Sequence, residues 1–370
     1  MKLILLKSNL LNALKSVERA VGNGSRLPVL QSIHCAAAKK NSKIVFTATN
    51  LEIAIQHTIQ GKVLEEGNII IPFSILYSII NSLVAEKIQI EQKNKTITIT
   101  ADNYEATINI GELEEFPIIP TISNTQVALK IKTEDLLESI SQALTATQYS
   151  EIRPEINGIF FLYDNQQLTL VGTDSFRLVE KTIEQNKTRS ALENGTSFIV
   201  PLQTMETVLK IIKDGEVEIL IDSNQALFRT ENKQLITRLV DGAFPDYKLI
   251  IPKENETEIF LERSEFINAV RTVKTFSGRA HDVVLQIEKK VLEVRSAEST
   301  LGENTYRIPI RTKGKQQKIE ISFNWHYLLD GLRMYKGDEI ILGLSGAEKP
   351  VMIKNQEEQQ LIYVVMPIRV

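Results

Sequence analysis

The chain spells one pattern three times over its 370 residues, and no other feature restricts its fold as tightly. Internal repetition on this scale means one supersecondary unit copied in tandem, each copy burying its apolar face against its own or a neighbouring copy's elements. The unit reads strand, amphipathic helix, strand-rich stretch, second helix, further strands. The first helices are "SNLLNALKSVERAV" from Ser8, "TEDLLESISQALTAT" from Thr133 and "SEFINAVRTVKTFS" from Ser264. Each opens on a hydroxyl that can accept from the free N–H groups of the first turn. Each then carries apolar residues at helical spacing: Leu10, Leu14, Val17 and Val21; Leu136, Leu137, Ile140 and Leu144; Phe266, Ile267, Val270 and Val273. The second helices are "IPFSILYSIINSL" from Ile71, "VPLQTMETVLKIIK" from Val200 and "FNWHYLLDGLRMYK" from Phe323, with Pro72 and Pro201 near helix starts, where a missing N–H costs nothing.

Strands of alternating polarity follow each second helix. In "TITIT" (96–100) Ile97 and Ile99 share one face, and in "EVEILI" (216–221) Val217, Ile219 and Ile221 do the same. Each copy closes on a proline, Pro117, Pro245 and Pro367, at a period of roughly 125 residues. The expectation is an α+β protein of three domains, 1–122, 123–254 and 255–370, each with two helices packed on antiparallel sheets, joined at the polar stretches "TISNTQ" and "KENETE". The apolar ending "LIYVVMPIRV" then reads as the closing strand of the third copy.

Composition removes several function classes. Apolar residues make up 43% and charged residues 24%, normal for a folded soluble chain. No apolar run approaches the ~18 residues that span a membrane, and the interrupted N-terminal stretch reads as a strand leading into a helix, not a signal peptide. One cysteine, Cys35, excludes an internal disulfide framework and a multi-cysteine zinc site and suits a reducing cytoplasm. No cofactor is expected. His34, His57, His281 and His326 show no metal-ligand spacing, no phosphate-cradling glycine loop is present, and Cys35 reads as a small buried thiol in a strand. Asp174 and Asp246 read as turn or capping residues. An enzyme therefore has no constellation to stand on.

The net charge of −3 gives no global signal for nucleic acid, but the cations are segregated. Opposite the apolar stripes lie Asn12, Lys15, Ser16 and Arg19 in the first copy and Asn268, Arg271, Thr272 and Lys274 in the third. The second helices add Lys210 and Lys213, then Arg333 and Lys336. The first helix of the middle copy, with Glu138, Ser141, Gln142 and Thr145, is the exception. Such faces can hold a polyanion through phosphate contacts without reading bases; the alternative is ordinary solvated surface.

Taken in order along the chain, "LPVLQSI" (27–33), "RPEINGIFF" (153–161), "GTDSFRLV" (172–179), "LVDGAFPDYKLIIP" (239–252) and "YVVMPIRV" (363–370) resemble the bacterial DNA polymerase III β subunit family, the sliding clamps. The resemblance spans the whole chain. It implies a non-catalytic homodimer, head to tail, closing six similar domains into a ring with helices lining the hole. Double-stranded DNA is encircled without sequence preference, tethering the replicative polymerase. It further implies one groove per chain for short linear motifs of polymerases, the clamp loader and repair proteins. By motif match that groove takes Ile156, Thr173, Ser175, Phe176, Arg177, Leu178, Pro245, Ile250, Val364, Met366, Pro367, Ile368 and Arg369. Phe176 and Leu249 depart from the family, which often has a histidine or other polar residue at the first position and in some members an arginine at the second. DNA contacts are expected from Arg26 and Arg153 in loops, and from Lys15, Arg19, Lys210, Lys213, Arg271, Lys274 and Arg279 by helix face or position. A repeat-built interaction scaffold without DNA encirclement is the competing reading.

Overall fold

The computed structural model describes residues 1–22, 24, 27–122, 127–279, 281–288, 290–315 and 318–368. Six α-helices are present among them: α1 (Lys7–Val17), α2 (Phe73–Ser82), α3 (Thr133–Thr145), α4 (Leu202–Ile211), α5 (Arg263–Val273) and α6 (Trp325–Met334). The two helices read in each copy are all found. The leading residues of the second-helix segments belong to strands instead: Pro72 and Pro201 end the strands Gly67–Pro72 and Thr196–Pro201, and Phe323 lies in Ile319–Asn324.

Helix capping differs from expectation. α1 is preceded by Leu6, which offers no side-chain cap, and Ser8 lies inside the helix. At α5 the carboxylate of Glu262 accepts from the backbone N–H of Ser264 and Glu265, so an acid replaces the anticipated hydroxyl. A carboxylate there satisfies two orphan donors and also complements the positive end of the helix dipole.

The contacts divide the chain into two compact units. One comprises Met1–Glu134, Arg189–Leu192 and Glu206–Leu239, the other Asp135–Thr188, Glu193–Met205 and Val240–Val370. The first holds a five-stranded antiparallel sheet in the order Lys62–Glu65, Lys2–Leu6, Lys87–Lys93, Thr96–Ala101, Tyr104–Asn109. It also holds a nine-stranded sheet in which Lys233–Arg238, from the middle copy, pairs antiparallel with Ile53–Gln60, from the first. Copies therefore share a sheet rather than meeting as closed bodies. α1 lays Leu10, Ala13, Leu14 and Val17, all fully buried, into this unit's core; each leucine contributes about 1.5–3 kcal/mol by leaving water.

The second unit repeats the device. Its nine-stranded sheet runs Thr196–Pro201, Gly158–Asp164, Gln167–Thr173, Arg177–Ile183, Leu361–Val365, Val351–Lys354, Glu339–Leu344, Thr257–Glu262, Arg311–Gly314. The seam between the middle and third copies is the pair Arg177–Ile183 with Leu361–Val365. A four-stranded sheet runs Gly302–Pro309, Val291–Glu298, Asp282–Glu288, Ile319–Asn324. The apolar ending has the strand role read from sequence: Leu361, Tyr363, Val364 and Val365 are buried. Past the strand, the backbone N–H of Met366 donates to Phe176 O at 2.8 Å and that of Ile368 to Ser322 O at 2.8 Å, so the tail straps one sheet to the other. Gly331 lets α6 come close: a Cβ there would meet the Tyr363 ring at 2.3 Å. A mid-helix glycine costs about 1 kcal/mol, which the packing of the buried ring offsets.

Candidate peptide-binding site and cationic helix faces

"GTDSFRLV" forms a tight loop at the end of the strand Gln167–Thr173, and its polar side chains fold back on its own backbone. The Thr173 hydroxyl donates to Arg177 O at 2.7 Å and accepts from the Ser175 N–H. Asp174 Oδ1 accepts from the N–H groups of Phe176 and Arg177, both at 2.9 Å. Asp174 is thus the turn residue its sequence context suggests. Ser175 sits at φ +76°, a conformation costing roughly 1–2 kcal/mol for a residue with a Cβ, which these bonds hold in place.

Arg177 ties the loop to α6. Its Nε donates to Asp174 Oδ2 at 2.9 Å, its Nη1 to Asp330 Oδ2 at 2.7 Å, and its guanidinium lies 4.4 Å from the centroid of the Tyr327 ring. With its side chain 11% exposed, Arg177 is spent on internal bonds and positions the loop. Tyr327 and Asp330 were not singled out from sequence. They lie three residues apart on one face of α6, but nothing local says which distant cation they meet.

On the opposite face of the same strand, Leu178 packs with Val171, Tyr247 and Val364 in a small buried cluster flanked by Phe160, Phe244, Ile251 and Ile362. Phe160 and Phe244 stack at 4.6 Å. Burial, and then the nearby Glu180 carboxylate, push the Tyr247 phenol's pKa up. Phe176 and Met366 continue the same face by strand alternation. The apolar surface extends outward from there. Phe176 is 60% exposed, Leu249 80%, and Ile250 and Ile368 37% each.

The motif-matched residues therefore separate into layers. Ile156, Thr173, Leu178 and Val364 are buried; Pro245, Met366 and Pro367 are half-buried; Ser175, Phe176, Ile250 and Ile368 are exposed. Arg369 lies outside the described residues. Arg153, expected at DNA, is partly exposed; it donates to Ser175 Oγ at 2.9 Å and pairs with Glu155 at 3.1 Å, so it also contacts the Thr173–Arg177 loop.

Exposed stripes on the first helices bear out the charge segregation, with adjustments. On α1 and the turn after it, Ser8, Asn12, Lys15 and Arg19 are exposed, whereas Ser16 is buried and donates to Asn12 O. On α5 the matching stripe is Ser264, Asn268 and Arg271. On α3, Glu134 and Ser141 are exposed, and Gln142 is buried with its amide donating to Met334 O. Lys210, Lys213 and Arg279 are exposed, while Lys274 is half-buried, its ammonium 4.2 Å from the centroid of the Trp325 ring. Arg26 lies outside the described residues. Cys35 is fully buried in Ser32–Ala38, and burial pushes its thiol up to about 12. Among the described residues no group of three or more His, Cys, Asp or Glu side chains could hold a metal ion, and no helix is long and apolar enough to cross a membrane.

Three copies of one α+β unit sharing continuous sheets, with two helices each and cations on the exposed stripes of α1 and α5, define a clamp-type protein. The chain belongs to the DNA polymerase III beta subunit family, whose N-terminal, central and C-terminal domain profiles match residues 1–120, 130–246 and 248–369. It is 25% identical to the beta sliding clamp of Bacillus subtilis (strain 168), covering all of both chains. It is 27% identical to that of Chlamydia pneumoniae, covering all of this chain and 99% of the other. Its fold superposes on the crystal structure of the Bacillus subtilis DNA polymerase sliding clamp with a TM-score of 0.91 over 100% of this chain and 99% of that one. At 22% identity, a sliding clamp from Pseudomonas aeruginosa gives 0.93 over the whole of both chains, a likeness of fold. The protein is a DNA sliding clamp of this family and not an enzyme.

Proposed function

We propose that two copies close head to tail into a ring around duplex DNA in the cytoplasm, and that each copy offers the surface around Phe176, Leu249, Ile250 and Ile368 to apolar linear motifs. The partners would be the replicative polymerase, the clamp loader, and other polymerases and repair proteins. The domain limits 1–122, 123–254 and 255–370 belong to this reading.

One observation carries the ring. Every copy contributes a five-strand and a four-strand half-sheet, and both seams join a five-strand half to the four-strand half of the preceding copy. Two halves remain: the five strands of the first copy, ending on Tyr104–Asn109, and the four of the third, ending on Gly302–Pro309. A second copy supplies what each lacks. The seams also supply the register. Ala54, Leu178 and Glu303 hold equivalent places, opposite Thr49, Thr173 and Ala297 in their hairpins. Ile236, Val364 and Thr107 are equivalent likewise, opposite Leu227, Met352 and Thr98. Ala54 faces Ile236 in one seam and Leu178 faces Val364 in the other. The same rule sets Glu303 opposite Thr107 of a second copy and Tyr306 opposite Tyr104, an aromatic pair of the kind that stabilises antiparallel strands.

Support for DNA passage comes from the exposed Lys15, Arg19, Lys210, Lys213, Arg271 and Arg279, and from the half-buried Lys274, whose ammonium lies on Trp325. Cations contacting phosphates give hold without sequence preference. The test loads the protein on nicked circular DNA and then linearises it. A ring is retained on the circle and lost from the line; equal loss from both would leave the scaffold reading.

A further inference from the structure

We infer that Lys181 is an acylation site, open to small acyl phosphates in the folded protein. The strand Arg177–Ile183 turns two cations toward the helices on one face, Arg177 and Lys181, four residues apart. Arg177 has two carboxylates. Lys181 has no ion-pair partner among the described residues, because the acids around it are committed elsewhere. Asp135 pairs with Lys187 at 2.8 Å, Glu138 with Lys336 at 2.5 Å, Glu184 accepts from the Gln360 amide at 2.6 Å, and Glu358 accepts from the N–H groups of Lys336 and Gly337.

Lys181 lines a polar cavity of about 90 Å3 together with Asp135, Glu138, Ser139, Thr182 and Lys187, which leaves room beside the amine for a group of acetyl size. Burial, first, and the positive charges of Lys187 and Lys336 lower the amine's pKa against the opposing pull of Glu138 and Glu358. More of the amine is therefore free base at neutral pH than on an ordinary exposed lysine.

The step is a plain acyl transfer. The neutral amine's lone pair attacks the acyl carbon of an acyl phosphate and the N–C bond forms. The acyl C–O bond breaks, inorganic phosphate leaves, and the amine's proton passes to solvent. The product is a neutral amide in place of a cation beside Glu138 and Glu358.

The experiment treats the full-length protein with acetyl phosphate at about pH 7 and about pH 10 and measures acetyl occupancy at each lysine by peptide mass spectrometry. Exposed Lys40 is the reference, and urea-unfolded protein is run alongside. The expected result is Lys181 modified severalfold faster than Lys40 near pH 7, a lead that shrinks near pH 10 and disappears in urea. A Lys181→Arg variant loses the signal and keeps its neighbours' rates. Modification of Lys181 no faster than Lys40 near pH 7, or a lead that survives unfolding, would overturn the assignment.

Discussion

Arg177 and Asp330 are 153 residues apart in sequence and 2.7 Å apart in space. That contact fixes the angle at which the Thr173–Arg177 loop leaves its sheet, because the other side of the same guanidinium holds Asp174, whose carboxylate accepts from the loop's own N–H groups. Replacing Asp330 by Ala leaves a mostly buried cation with one partner. Asp330 is itself about a third exposed, so the loss is about 1–2 kcal/mol rather than the larger figure for a fully buried pair. Affinity for a clamp-binding peptide, read by fluorescence anisotropy, should fall about tenfold, with a modest drop in urea midpoint. Unchanged affinity would show that the loop does not need the tie.

Deletion of 366–370 removes the strap that bonds to Phe176 and Ser322 and leaves the buried strand Leu361–Val365 intact. Peptide binding should disappear while the solution mass, measured by light scattering, still reports a dimer. A truncated chain that binds peptide normally would refute the surface assigned here.

The ring register has its own check. Residues directly opposite on antiparallel strands have Cα atoms about 4.5–5.5 Å apart, within disulfide reach. A Thr107→Cys, Glu303→Cys double variant in a Cys35→Ser background should oxidise to a covalent dimer on a non-reducing gel. The pair Asn109→Cys with Glu303→Cys should not. Cross-linking of the second pair alone would mean the register is shifted.

His57 faces Lys233 across the first seam, is 1% exposed, and its Nδ1 has no hydrogen-bond partner among the described residues. Burial, then the Lys233 charge, lower its pKa from 6.5 to about 4. The folded form refuses a proton that the unfolded chain accepts, so the unfolded state binds more protons between those values. Stability is full above about pH 6.5, falls by up to about 3 kcal/mol as the pH drops to about 4, and is flat below as far as this group is concerned. His57→Gln should flatten that part of a urea-midpoint profile; an unaltered slope would mean other groups set it.

The Cys35 thiol, buried and held up to about 12, should resist a thiol-reactive dye in native buffer and react fully in denaturant. Rapid native labelling would contradict its burial.

The repeats, the helix pairs and the strand role of the ending could be read from sequence because they rest on local periodicity and on a pattern printed three times. The loop chemistry of Thr173 and Asp174 was also within reach, since their partners lie within four residues. Tyr327 and Asp330 were not, because side chains separated by so much chain meet only once the sheets are built. The contact between Arg153 and Ser175 was out of reach for the same reason, since 22 residues separate them. Ser16 and Gln142 show the same limit on a smaller scale. Both look like surface residues in a polar stripe, yet each lies a few tens of degrees too far round its helix and is buried.

The strand seams at Ile53–Gln60 and Arg177–Ile183 have a further consequence for how such a chain can break. A product ending after the first copy would bare the outer edge of Ile53–Gln60, and one ending after the second would bare that of Arg177–Ile183, each a row of unmet N–H and C=O groups flanked by β-branched side chains. Exposed edges of that kind recruit other strands indiscriminately. Premature termination in this gene should therefore yield inclusion bodies rather than a shortened working fragment.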